Sequence, residues 1–188
     1  MTPESIDRES LELLVNKAQS GDAESFEVLY EYLYPKLYSY FSFRVDGEIV
    51  EDVLSDVFLR IVEKLGAYRS QKNASFMAWA FRIAHNLLVD YYRKVKEVFI
   101  SDSEDESESF FEQIKDDQIL PDAQLDKKIT AKRIKTSLSQ LKPLHKEILE
   151  LKFLEDFTTK EISQILGKSE GNVRILQLRA LNELRNHF

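Results

Sequence analysis

Along the stretch FMAWAFRIAHNLLVDYYRKVK, residues 76–96, Arg82, His85, Asn86, Tyr92, Arg93 and Lys96 gather the groups that hold a nucleic acid without covalent chemistry. Cations neutralise phosphates, a tyrosine ring stacks on an exposed base, and amide and imidazole groups reach base edges. Phe76, Trp79, Ala80, Ile83, Ala84, Leu87 and Tyr91 recur at helical spacing on the other side, which predicts a helix packed against a core. A solvated basic face has much the same composition, so this stripe alone leaves both readings open.

A second set of polar groups lies toward the C-terminus. Thr158-Thr159-Lys160-Glu161 reads as a capping box, in which the threonine oxygen serves an amide of the first turn and the glutamate returns to the cap. Ile162, Ile165 and Leu166 anchor a short helix, Gly167 makes a turn, and Ser169 caps a last helix that runs to about Arg185, with Val173, Leu176, Ala180, Leu181 and Leu184 inward. Short helix, glycine turn and capped second helix are the grammar of a helix-turn-helix, whose second helix enters the major groove. Ser169, Gly171, Asn172, Arg174, Ile175, Leu178 and Arg179 face outward. Arginine pairs with guanine edges or phosphates, asparagine with adenine, and isoleucine contacts a thymine methyl.

A third face belongs to a helix over 48–65. Val50, Val53, Leu54, Val57, Phe58, Ile61 and Leu65 turn inward and Gly66 ends it, while Asp52, Ser55, Asp56 and Leu59 line the outside with Glu63 beyond. A leucine among carboxylates resembles the apolar centre and polar rim of a protein interface. One exposed leucine is also ordinary.

The remaining elements position these faces. Leu11, Leu14, Val15 and Ala18 predict a first helix ended by Gly21. Asp22 caps a second, with Phe26, Leu29, Tyr30 and Leu33 on one face, and Pro35 opens a new helix through Phe43. Residues 67–75, AYRSQKNAS, form a polar connection whose groups can hold an unstacked base. Residues 98–126 turn sharply to Ser, Asp and Glu, too charged to bury a core, and read as a flexible acidic linker. Leu125, Ile129, Ile134, Leu138 and Leu141 follow on one helix, and Pro143 opens the next, with Leu144, Ile148, Leu149 and Leu151 inward.

The formal net charge of -7 argues against nucleic acid until its distribution is considered. Asp102, Glu104, Asp105, Glu106, Glu108, Glu112, Asp116, Asp117, Asp122 and Asp126 face Lys115 alone in 101–126, whereas 69–100 and 127–188 are both net basic. Basic blocks embedded in an acidic chain point to partners. Without cysteine there are no disulfides or thiolate metal sites, and a reducing cytoplasm is the natural compartment. There is no phosphate-cradling glycine loop, metal-spaced histidine pair, or nucleophile with a base, so no catalytic residue, metal, cofactor or small-molecule substrate is expected. Neither a membrane-length apolar run nor a secretory signal is visible, so no membrane insertion is expected.

Together, EDVLSDVFLRIVEKL (51–65), FMAWAFRIAHNLLVDYYRK (76–94) and LSQLKPLHKEILELKFLEDFTTKEISQILGKSEGNVRILQLRALNELR (138–185) resemble the extracytoplasmic-function (ECF) group of the sigma-70 family of RNA polymerase sigma factors. The resemblance implies an all-α chain of two small helical domains: a region 2 bundle over 1–97 and a region 4 helix-turn-helix over 127–188, joined by the acidic linker 98–126. It implies that Asp52, Ser55, Asp56 and Leu59 meet the β′ clamp helices of core RNA polymerase, and that region 4 also meets the β flap. Arg82, His85, Asn86, Tyr92, Arg93 and Lys96 would serve recognition and melting at the -10 element of promoter DNA. Ser169, Asn172, Arg174, Ile175 and Arg179 would serve the -35 element. An anti-sigma factor is a further implied partner. His85 stands where the family often has arginine and Leu178 where histidine is frequent, departures that bear on promoter specificity. The rival reading is a free-standing helix-turn-helix regulator that binds operator DNA without polymerase.

Overall fold

A computed structural model describes residues 6–42, 44–70, 75–99, 138 and 140–186; the side chains of 95–99 and of Asn186 are not described. The described residues form helices α1 (Arg8–Gln19), α2 (Ala23–Ser42), α3 (Gly47–Leu65), α4 (Phe76–Phe99), α5 (Pro143–Phe153), α6 (Thr159–Leu166) and α7 (Glu170–Asn186), with no strand among them. They make two compact units, one built on α1–α4 and the other around α5 and α7. The expected acidic linker, and the helix expected to begin near Leu125, fall largely outside the described residues.

In the first unit, α1 starts because Asp7 accepts hydrogen bonds from the Glu9 and Ser10 amides, both at 3.0 Å, satisfying donors that the helix leaves without partners. The Ser10 amide and hydroxyl hold the Asp7 carboxyl below its usual pKa. Leu11 and Val15 are buried, and α1 packs on α2 and α4. The core of the bundle is apolar and full: Leu29, Leu33, Leu37 and Phe41 of α2 lie among Leu54 and Ile61 of α3 and Phe76, Phe81 and Leu88 of α4, all fully buried. Each such side chain contributes roughly 1.5–3 kcal/mol by leaving water.

Pro35 does not start a new helix. It lies inside α2, which continues without a break to Ser42. Proline removes one backbone hydrogen bond, but Pro35 and Glu31, four residues earlier, are both exposed, so the released carbonyl is on the solvent side. Leu33, Leu37 and Phe41 meanwhile hold the other side against the core. Tyr30, expected inward, is 40% exposed and rests its ring on Phe58 at 4.4 Å. All seven residues expected to face inward from α3 are buried. Gly66 follows that helix in a right-handed conformation (φ -60) rather than a left-handed one.

In the second unit, Pro143 occupies the first turn of α5, as expected, where its missing amide costs nothing. Leu141, Leu149 and Ala180 form a small core with Leu138 and Leu184 packed on it, and the Glu183 carboxylate joins α7 to α5 by accepting from the Lys142 amide at 3.2 Å and pairing with His145. Asp156, in the left-handed region at φ 55, turns the chain out of α5; aspartate is among the few residues that tolerate this. The capping box forms as read: Glu161 N–H donates to Thr158 Oγ1 at 3.2 Å, and Thr158 N–H donates to Glu161 Oε2 at 3.0 Å. Gly167 turns at φ +64, and Ser169 Oγ accepts from the Asn172 amide at 3.2 Å to start α7. Leu181, expected inward, is 43% exposed.

Candidate nucleic-acid and protein interfaces

The core of α3 leaves one side to solvent, where Asp52, Ser55, Asp56, Leu59 and Glu63 are all exposed. Leu59 is 58% exposed and Val62, one turn further, 51%. Val62 was missed in the sequence reading; its signal was an apolar residue that the inward stripe of α3 does not include. Beside this face runs an aromatic ladder on α2, with Tyr30 and Tyr34 centroids 5.6 Å apart and Tyr34 and Tyr38 6.0 Å apart. The Tyr34 hydroxyl donates to Glu51 Oε1 at 2.8 Å, a bond that raises its pKa.

The helix α4 positions its residues differently from a simple two-sided wheel. Arg82, Asn86, Arg93 and Lys94 are exposed, and Arg93 pairs with Asp90 at 3.2 Å. His85 and Tyr92 are not on the outward face: they are only 8% and 7% exposed. The physical reason is that α4 packs against α1, α2 and α3, so it is enclosed from more than one side. Tyr92 uses its hydroxyl to bond the Arg44 carbonyl in the α2–α3 connection. The Lys96 side chain lies outside the described residues.

Both ends of the polar connection 67–75 are held by α1, while 71–74 fall outside the described residues. Gln19 Nε2 donates to the Leu65 and Tyr68 carbonyls, both at 2.8 Å. Glu12 accepts from the Tyr68 hydroxyl at 2.9 Å and from the Phe76 amide at 3.2 Å. Burial, reinforced by the Glu12 carboxylate, pushes the Tyr68 hydroxyl well above the usual tyrosine range. Tyr68 also packs its ring against Phe76 and the half-buried Trp79, at 5.4 and 5.1 Å. Glu12 and Gln19 went unrecognised in the sequence, although two polar residues seven apart share one helix face.

Ser169, just before α7, and Asn172, Arg174, Ile175, Leu178 and Arg179 on it are all exposed, opposite the buried Val173, Leu176 and Ala180. Arg174 stands 3.6 Å from Glu170, its side chain 70% exposed, so its guanidinium is available at the surface. Among the described residues no group of three or more His, Cys, Asp or Glu is arranged to hold a metal, and no helix is long and apolar enough to cross a membrane.

The Sigma-70 region 2 family matches residues 29–97 and the Sigma-70, region 4 family matches 137–186, the two units in their expected order. The ECF RNA polymerase sigma factor SigM of Bacillus subtilis is 32% identical over 142 residues, 74% of this chain and 80% of SigM. The chain belongs to the ECF group of the sigma-70 family. The ECF sigma factor BldN of Streptomyces coelicolor is 30% identical over 175 residues, covering 91% of this chain and 63% of its own length. The sigma factor RpoE of Bartonella quintana, solved with the anti-sigma factor NepR, shares the fold at a TM-score of 0.66 and 19% identity, over 87% of this chain and 96% of RpoE. In this ECF sigma factor, then, α3 and all but the last two residues of α4 lie within the region 2 match, and α5, α6 and α7 within the region 4 match.

Proposed function

We infer that this sigma factor binds core RNA polymerase and directs it to promoters by reading -10 and -35 elements and assisting strand opening. The observation that carries the reading is the α3 face, where exposed Leu59 and Val62 stand among Asp52, Asp56 and Glu63 in the same chain as a helix-turn-helix. Operator binding by a free-standing regulator does not by itself explain such a face. Asp52, Ser55, Asp56 and Leu59, extended by Val62, take the β′ clamp helices, and region 4 meets the β flap. Arg82, Asn86 and Arg93 engage the -10 strand. His85 and Tyr92 act from below that surface by shaping α4, which their burial supports. Ser169, Asn172, Arg174, Ile175 and Arg179 meet the -35 duplex, Ser169 while also capping α7.

The chain itself performs no covalent chemistry and works in the cytoplasm, where polymerase and promoter are found. Its domains are 1–99 and 127–188, with 100–126 as linker, since α4 runs two residues past the expected boundary at 97. An anti-sigma factor that covers these faces is a further partner, in keeping with the NepR-bound RpoE that shares the fold. The test is promoter-DNA anisotropy with and without core polymerase. Binding and opening that require polymerase, and that are lost when Asp52→Arg is combined with Asp56→Arg, are the expected result. Tight binding to duplex DNA by the chain alone would establish the regulator reading instead.

A further inference from the structure

The stripe of α7 that points directly away from Val173, Leu176 and Ala180 holds Gly171, Ile175 and Leu178. Ile175 is 53% and Leu178 62% exposed, and Arg174 and Arg179 flank them. Single exposed aliphatics are ordinary. Two on successive turns of a second helix, between arginines suited to phosphates, stand where base edges lie in a helix-turn-helix complex. Gly171 is an independent sign. Its backbone is helical with no positive φ, and a Cβ built there would meet nothing within 4 Å. Alanine is the better helix former, so nothing among the described residues calls for glycine. A surface brought close against the first turn of the helix does call for one.

Resting on the assignment of α7 to the -35 element, we propose that Gly171, Ile175 and Leu178 form a seam that reads thymine methyl groups. The C5-methyl of thymine is the apolar group that a base pair offers in the major groove, and an aliphatic side chain has no donor or acceptor with which to read anything else. Three residues of helix rise about 4.5 Å, against about 3.4 Å per base step, so Ile175 and Leu178 meet methyls on neighbouring or next-neighbouring pairs. Gly171 lets the first turn sit deep enough for both contacts. Leu178 thereby becomes a specificity-determining residue, and the -35 element of this factor carries at least two thymines under the seam.

The test begins with holoenzyme, the full chain plus core polymerase, selecting -35 duplexes from a randomised library. The selected duplex is then scanned with deoxyuridine for thymidine, which removes one methyl at a time. Two positions are expected at which methyl loss weakens binding about fourfold, the effect of one buried methyl-sized group. Leu178→Ala erases the penalty at one position and Ile175→Ala at the other. Gly171→Ala raises the melting temperature of the free chain yet weakens binding to the same duplex. Wild-type binding indifferent to every deoxyuridine, or penalties that persist in both alanine variants, overturns the seam. A library from which holoenzyme enriches no -35 sequence overturns the promoter reading itself.

Discussion

Glu12 bonds groups on both sides of the 67–75 connection, the Tyr68 hydroxyl and the Phe76 amide, so one carboxylate sets where that connection leaves α3 and where α4 begins. Hydrogen bonds to charged groups are worth about 1.5–3 kcal/mol, and Glu12→Ala is expected to lower the urea midpoint of the chain by a comparable stability. The pH dependence follows from Tyr68. Its folded pKa lies above the ordinary 10.0, so the neutral phenol is favoured by folding; that contribution is fully present below pH 10 and fades as pH rises through the folded value. Tyr34 and Tyr91 are shifted in the same direction, so Tyr68→Phe is expected to reduce, rather than abolish, the alkaline loss of stability in urea melts at pH 9 and 11. An unchanged pH 9 to 11 difference in Tyr68→Phe would remove Tyr68 from that account. None of this was legible in the sequence, because the partners lie 56 and 64 residues apart and no local pattern joins them.

Where a pattern is local, element and sequence agree closely. The Thr158–Glu161 box, the Gly167 turn and the Ser169 cap each complete their bonds within a few residues, so reading them needs no knowledge of the rest of the fold. Thr158→Ala is expected to cost about 1 kcal/mol of region 4 stability, measured by denaturant melts followed by circular dichroism. The wheel of α4 failed at His85 and Tyr92 because periodicity reports a direction and not how many neighbours enclose it. At Pro35 a local rule was outweighed: one missing hydrogen bond competes with Leu33, Leu37, Tyr40 and Phe41, whose burial requires α2 to run on. Pro35→Ala restores that bond and removes the ring from an exposed turn. A gain of about 1–3 kcal/mol is therefore expected, read from the same melts. A loss of stability would mean that the proline bend is itself needed for packing.

For the molecule as a whole, a net charge of -7 coexists with cationic side chains exposed on α4 and α7, and so its binding to DNA depends on where charge sits rather than on its sum. Each face is small. Two modest contacts become effective when one tether makes the second intramolecular. Beyond the length that matches its span, effective concentration falls roughly as the -3/2 power of tether length. Doubling the segment after α4, residues 100–126, with a Gly/Ser insertion in the full chain is therefore expected to weaken promoter binding by holoenzyme about threefold, with both elements still protected from cleavage. The size of the effect carries the argument. A loss of a hundredfold would mean that the acidic residues of 100–126 make contacts of their own, so that the segment acts by sequence and not by length. No loss at all would mean that region 4 adds nothing once region 2 is bound, and the two-element reading of this sigma factor would fail at the scale where it was built.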